Sequence, residues 1–434
     1  MPKAVKYSRY GGPDVLEVVE IEMPVPGPGE ALIEVVSAGL NPADSRLREG
    51  KLAERMPAHF PQGIGSDFAG YVMATGTGVS RVAVNDAVIG HTSRGSLATH
   101  LAVPAANLTP KPPHLPWEVA GSLFVTGIAA WAAVNALGIG KGDTVVISAA
   151  AGGVGCIAAQ LARLRGARVI GTVSERNADF LRQLDVIPVV HEGDVAARIR
   201  ELAPEGVDAY LDTFGGDNME IARSLGVPAA RIRSVLDWEG VQDFGPDEYG
   251  STGPSEARTV APGAIESETA ESEAAEPDKA DNTEKAAEDE VTEESGTAVI
   301  ARLARLAEQH RLLLPISDIF AIDEVREAFE ELDRGHVRGK LLLGMHPVGY
   351  ARQRVHGATS HGVPLKESAS TVDVPTEHPR MRVFENLPPV LGHLRGQHHP
   401  HPSEQLDAEL AAESAAVAEA EATVESDGEA AAER

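Results

Sequence analysis

The chain has 434 residues, a net charge of −27 at neutral pH and a single cysteine, Cys156. That length allows two or three domains with a sizeable core. The lone thiol rules out an internal disulfide and suits a reducing compartment. The lack of a basic stripe argues against nucleic acid as a partner.

Most of the excess acid lies in two stretches, 239–296 and 347–434, and the remainder carries an ordinary charge for a soluble protein. The N-terminus passes straight into Tyr7-Ser-Arg-Tyr-Gly-Gly-Pro13, so no signal peptide is expected. No apolar run is long enough to cross a bilayer, so no membrane contact and a cytoplasmic location are expected.

Residues 1–120 are rich in short strands broken by Gly and Pro. Val15–Ile21, Ala31–Ala38, Gly70–Gly76, Ala87–Gly90 and Leu97–Val103 each carry a strand pattern. Short strands with frequent turns point to a small, irregular β-barrel. Asn41–Gly50 reads as a capped helical turn, and Trp117–Leu123 and Thr126–Val134 as helices. From Thr144 to about Leu236, strands at 144–148, 168–173, 208–212 and 232–236 alternate with helices, the pattern of a doubly wound parallel α/β sheet.

Ser148-Ala-Ala-Ala-Gly-Gly-Val-Gly155 joins the first of these strands to a helix at Cys156–Leu164. Strand, small-residue turn and helix form the context in which a glycine-rich turn marks a dinucleotide site. Gly152 lets backbone approach a pyrophosphate, Gly155 lets the helix pack close to the sheet, and the helix N-terminus offers free N–H groups. Ala151, Gly152, Gly153, Val154 and Gly155 are therefore candidate cofactor contacts. Ala150 stands where such turns usually keep their first glycine. The bland alternative is a small-residue turn in an ordinary α/β domain.

Residues 239–296 are acidic, poor in large apolar groups and expected to be a disordered insertion. The fold pattern resumes with an amphipathic helix from Val299, a strand at Leu312–Phe320, a helix at Ile322–Leu332 with Asp323 near its start, and a last strand at Gly339–Gly344. Residues 347–434 are expected to be a disordered tail. Its His398, His399 and His401 read as solvated before they read as metal ligands.

Several pieces stand together in an order that resembles one family. They are Tyr7-x-x-Tyr-Gly-Gly-Pro-Asp-Val-Leu16, Gly39-Leu-Asn-Pro-Ala-Asp44, Gly65-Ser-Asp-Phe-Ala-Gly70, Val84-Asn-Asp-x-Val-Ile-Gly90, Gly121-x-x-x-x-Thr-Gly127, the Ala149–Gly155 turn and Arg338-Gly-Lys340. Residues 3–238 and 297–345 resemble the zinc-free quinone oxidoreductase (zeta-crystallin-like) branch of the medium-chain dehydrogenase/reductase superfamily.

The resemblance implies a GroES-like β-barrel domain at 1–122, completed by 312–346, and a Rossmann domain at 123–311 interrupted by the acidic insertion. It also implies a homodimer. Zinc-dependent relatives keep ligands where this chain has Asn41, Ser66 and, approximately, Ser122. A catalytic zinc needs Cys, His or carboxylate ligands, and none of the three positions offers one.

The implied activity is hydride transfer from NADPH to a small quinone or α,β-unsaturated carbonyl. The alternative is an NADPH-binding regulatory or interaction protein with little catalysis. Asn41 is the expected catalytic residue, a donor to a developing oxyanion; otherwise it caps a loop before Pro42. Asp44 reads first as a helix cap, and Ser66 and Asp67 are pocket-wall candidates by position. Thr126 is expected at the nicotinamide or ribose, or as a helix N-cap. Tyr7 and Tyr10 read as packing residues.

Cofactor choice turns on Ser174, Glu175 and Arg176. Ser174 replaces the Asp that selects NAD, and Arg176 can pair a 2′-phosphate, which favours NADPH; Glu175 is the counter-argument, as a ribose ligand. Arg338 and Lys340 are weaker cofactor candidates, or plain surface charges. Asp185 stands where the family usually has Gly, a position an Asp can tolerate in the left-handed region.

Overall fold

The computed structural model describes residues 1–236 and 295–345. The N-terminal part runs β1 (Lys3–Tyr7), β2 (Leu16–Glu20), β3 (Glu30–Gly39), α1 (Pro42–Arg48), β4 (Gln62–Gly63), β5 (Asp67–Thr75), β6 (Ala87–His91), β7 (His100–Pro104) and β8 (Leu108–Pro110). β1 pairs antiparallel with β2 and β4 in a small sheet. β3 is ten residues long, with Ala31, Ile33 and Val35 fully buried, and it pairs antiparallel with both β5 and β7. A long, doubly covered strand with two partners curls the sheet around the core of Val35, Phe68, Val72 and Val88.

The nucleotide-type half follows as α2 (Trp117–Ala120), α3 (Phe124–Ala136), β9 (Thr144–Ile147), α4 (Gly153–Leu164), β10 (Arg168–Val173), α5 (Ala178–Gln183), β11 (Ile187–Val190), α6 (Val195–Leu202), β12 (Ala209–Asp212), α7 (Asn218–Ser224) and β13 (Ile232–Ser234). The five strands are all parallel, in the order β11-β10-β9-β12-β13. The order reverses beside β9, so a crevice opens at its carboxyl end, where α/β sheets take ligands.

After α8 (Gly296–Glu308), β14 (Ile316–Ala321), α9 (Val325–Arg334) and β15 (Lys340–Gly344) bring the chain back to the first half. β15 pairs antiparallel with the end of β3 and parallel with β14, which extends the larger sheet to β14-β15-β3-β5-β6-β8. The GroES-like barrel plus Rossmann sheet expected from the motifs is thus the observed architecture, with the last segment returning to the barrel.

Several local expectations shift. β11 carries no strong strand signal because Pro188 interrupts it; as the outermost strand of its sheet it tolerates a residue without an N–H. α4 starts at Gly153 rather than Cys156, so two glycines lie inside its first turn. The strand expected from Leu312 begins at Ile316. Leu312 and Leu314 are buried without a ladder, and Gln160 instead bonds both main-chain groups of Leu313, accepting its N–H at 2.8 Å and donating to its carbonyl at 2.7 Å.

The helix expected from Val299 starts at Gly296, and the Ser295 hydroxyl accepts the Ala298 N–H at 3.3 Å. The rest of the expected insertion and the whole expected tail lie outside the described residues.

Two departures from the family pattern have structural compensation. Asp185 takes a left-handed φ of 56°, and its carboxylate pairs with Arg163. Ala150 packs where a side chain on the neighbouring Gly171 would collide with it: a Cβ there would lie 2.6 Å from the Ala150 methyl. The missing glycine of the turn is balanced by a glycine in β10. Cys156 is fully buried, and burial pushes its thiol up to about 12, which makes it inert. No helix among the described residues is long and apolar enough to cross a membrane.

Candidate active site between the two halves

The carboxyl end of β9 is ordered by a residue that sequence reading missed. Asp212, at the end of β12, is 1 % exposed. It accepts the Ser148 hydroxyl at 2.7 Å, the Phe214 N–H at 3.0 Å, the Asn218 amide at 3.0 Å and the Ser234 hydroxyl at 2.9 Å. One carboxylate therefore ties together the turn after β9, the loop after β12 and the last residue of β13. The only signal in the sequence is an Asp closing an apolar strand.

The turn then passes through Ala149, left-handed at φ 44°, to Gly152, which caps α4. A Cβ on Gly155 would stand 2.5 Å from the Ala149 carbonyl oxygen, and one on Gly153 would stand 2.9 Å from the Thr126 methyl and 3.1 Å from Lys340 Cδ. Both positions exclude a side chain. The N–H groups of Val154 and Gly155 belong to the first helical turn and have no carbonyl within the helix, while Gly152 and Gly339 form an isolated parallel bridge. A concave run of small residues ending on open N–H donors fits a dinucleotide pyrophosphate. Ala151 is tied to the other half of the molecule: its carbonyl accepts the Gly339 N–H at 2.8 Å.

Thr126 is 4 % exposed and sits in the third position of α3. Its hydroxyl donates back to the Ser122 carbonyl at 2.9 Å, so it is not the N-cap of that helix. Its methyl faces Gly153.

On the barrel side, four segments converge. Asn41 caps α1, and its N–H donates to Asp44 Oδ2 at 2.8 Å. That bond is the capping role read for Asp44. The Asn41 side chain does something else: Nδ2 donates to Asp67 Oδ2 at 3.1 Å, and Oδ1 accepts from Lys340 Nζ at 2.5 Å. Lys340 Nζ also lies 3.3 Å from Asp67 Oδ2, and Asp67 Oδ1 accepts the Val125 N–H of α3 at 2.8 Å. Asn41, Asp67 and Lys340 are 3 %, 0 % and 3 % exposed.

The reading of Lys340 as a surface charge is therefore corrected: the ammonium is buried because β15 returns through the seam. Burial pushes Lys340 down, opposed chiefly by the Asp67 charge and then the Asp44 charge. Burial pushes Asp44 up to about 7; the Asn41 N–H opposes this, the Asp67 charge adds to it, and Lys340 and the Ser66 hydroxyl oppose it more weakly.

Ser66 Oγ lies 3.5 Å from Asp44 Oδ1, and Ser122 is fully buried. No group of three or more His, Cys, Asp or Glu side chains among the described residues is arranged to hold a metal. Tyr7 is buried edge-on against Phe60, and the Tyr10 hydroxyl accepts the Ala58 N–H at 2.9 Å, both in packing roles.

At the far end of the crevice, Ser174 follows β10 and caps a short turn, Glu175–Asn177. Glu175 and Arg176 are exposed. Arg176 Nη2 donates to the His336 carbonyl at 2.5 Å, which leaves its other donors open. Arg338 lies over the Phe180 ring at 5.5 Å. The structure keeps Ser174 and Arg176 together and brings Lys340 to Asn41 instead.

Two family models match the chain. An alcohol dehydrogenase GroES-like domain covers residues 27–113, and a zinc-binding dehydrogenase model covers residues 153–235. A chloroplastic quinone-oxidoreductase homolog of Spinacia oleracea is 37 % identical over 192 residues, 42 % of this chain and 58 % of that protein. The quinone oxidoreductase of Pseudomonas aeruginosa is 32 % identical over 248 residues, 55 % of this chain and 75 % of its own length.

The chain thus spans less than two thirds of some of the curated relatives it matches. Among solved structures, the quinone oxidoreductase from Coxiella burnetii superposes with a TM-score of 0.61 at 28 % identity, covering 80 % of this chain and 99 % of that one. With the five-stranded parallel sheet, the glycine turn and the returning β15 already in place, these matches make the chain a member of the zinc-free medium-chain dehydrogenase/reductase family, in the branch of the quinone oxidoreductases.

Proposed function

We propose that the protein is an NADPH-dependent oxidoreductase that delivers hydride, without zinc, to a quinone or to an alkene conjugated to a carbonyl. The observation that carries this reading is the buried Asn41 side chain, held at the seam within one lysine's length of the glycine turn. Nicotinamide supplies the hydride when the cofactor is bound; the protein's share is placement and electrostatics.

The Gly152–Gly155 turn receives the pyrophosphate, and Thr126 lies beside it. Arg176 pairs the 2′-phosphate with donors that His336 leaves free, and Ser174 removes the carboxylate that would select NADH. Asn41 has one amide N–H engaged by Asp67 and a second to offer. Donated to the acceptor's carbonyl oxygen, it stabilises the negative charge that grows there as hydride arrives. Asn41, Ser66 and Ser122 provide no ligand set for a Lewis acid, so the acceptor must already be electrophilic, which suits a quinone or enone and not an alcohol.

In this reading residues 1–122 with 312–346 form the acceptor-side domain and 123–311 the nucleotide domain, and the protein works as a cytoplasmic homodimer. The test is NADPH consumption by the purified protein with a panel of quinones and enones. Saturable turnover with at least one class supports the reading. Tight NADPH binding with no turnover on any of them refutes it in favour of a regulatory or interaction role.

A further inference from the structure

Asn41, Asp67 and Lys340 come from segments up to 299 residues apart, yet meet at hydrogen-bond distance in the interior. A side-chain amide is nearly symmetric in shape, so packing alone does not choose between its two orientations. The partners here do. An ammonium has only donors and a carboxylate group only acceptors, so of the two ends of the amide Lys340 can donate only to the oxygen and Asp67 can accept only from the nitrogen. Turning the amide over would set NH2 against NH3⁺ and oxygen against carboxylate, in an interior where such contacts are unscreened.

We propose that Lys340 and Asp67 act together as positioning residues, a clamp of opposite charges that locks the Asn41 amide in one orientation and aims its second N–H. The proposal deepens the reading of Asn41 as the acceptor-facing donor and rests on it for its effect on turnover.

Three further contacts support the clamp. Asp67 is itself fixed from its other oxygen by the Val125 N–H at the start of α3. Lys340 is fixed at its base by Gly339, whose N–H bonds the Ala151 carbonyl of the glycine turn. The lysine stem then crosses Gly153, where the missing side chain leaves room for it. The amide therefore takes its direction from both halves of the molecule, and the glycine at 153 serves the lysine as well as the phosphates. A role for Lys340 as a phosphate ligand alone would not need its ammonium on Asn41 Oδ1.

The test pairs a spectroscopic readout with kinetics. In protein labelled with ¹⁵N on asparagine, the Asn41 side-chain NH2, assigned by its loss in Asn41→Ala, should give one well-defined pair of signals. In Lys340→Met that pair should broaden, double or shift strongly. With an acceptor that the wild type reduces, Lys340→Met should lower kcat about 10–100-fold, with the NADPH dissociation constant, read by fluorescence, changing less than about 3-fold. Adding Lys340→Met to Asn41→Ala should cost little more than Asn41→Ala alone, the non-additivity of residues acting through one group.

Asp67→Asn, which is isosteric and removes the sign of the second partner, should act in the same direction and takes the place of Lys340→Met if that variant does not fold. An unchanged amide pair in the variants overturns the clamp. So does a Lys340→Met that weakens NADPH binding strongly while kcat holds. A disturbed amide pair in a protein that reduces no quinone or enone upholds the clamp and removes the functional reading instead.

Discussion

Asp44 offers a measurable consequence of burying a second carboxyl beside Asp67. Its side chain is 1 % exposed, and burial lifts it from an ordinary 3.8 to about 7. The folded-state value lies above the unfolded one, so between about pH 4 and 7 the native state binds the extra proton. Stability must then fall as pH rises through that window and level off above it. A carboxyl that ionises near 7 when folded and near 3.8 when unfolded costs the fold about 4 kcal/mol once it is ionised.

Asp44→Asn removes the charge and keeps an oxygen to accept the Asn41 N–H. Denaturant unfolding from pH 4 to pH 8 should show the two proteins nearly equal at the acid end. The variant should gain progressively, to an advantage of about 4 kcal/mol at pH 8. Parallel stability curves, or an advantage that is largest at pH 4, would refute the argument. The carboxyl ¹³C shift of Asp44 should titrate near neutrality in the same range.

Arg176→Ala should raise the KM for NADPH about 5–150-fold, the equivalent of about 1–3 kcal/mol for a partly screened charge-assisted pair. NADH should change much less and kcat hardly at all; equal, small effects on both cofactors would sink the 2′-phosphate assignment, and a loss of NADH binding in Glu175→Ala would point to the ribose reading. Asp333→Ala should destabilise the protein by about 1.5–3 kcal/mol in denaturant unfolding, the range for a hydrogen bond to a charged group, because the buried Arg48 guanidinium loses its closest carboxylate while Asp333 itself is partly exposed. Arg48, with no side-chain exposure, has its closest carboxylate in Asp333 at 2.7 Å, and a loss below about 1 kcal/mol would contradict that account. Purified protein should carry no stoichiometric catalytic zinc and chelators should leave turnover intact; tightly bound zinc in a variant lacking residues 347–434 would overturn the zinc-independent reading.

Most of the fold was legible from local pattern. The parallel strand Arg168–Val173 coincides with its expected range, and β9, β12 and β13 differ from theirs by one or two residues. Buried parallel strands are continuous apolar runs, and the glycines around them are required by backbone clearance, as at Gly155. Such signals are local, so a sequence displays them. The same holds for the tolerance of Asp185, since a left-handed φ depends on the residue's own sterics.

The composition of the site was legible only in part. Asn41 and the glycine turn stand out as motifs, but Lys340 read as a weak cofactor contact or a surface charge and Asp212 went unremarked. Their roles depend on what β15 and β12 are folded against. No periodicity near residue 340 records that its ammonium will meet residues 41 and 67, because that meeting is made by the pairing of β15 with β3 and by the Gly339–Ala151 bond. A buried charge acquires its meaning from long-range partners, which supply its desolvation and its counter-ion together, and these exist only once the two halves have closed on each other.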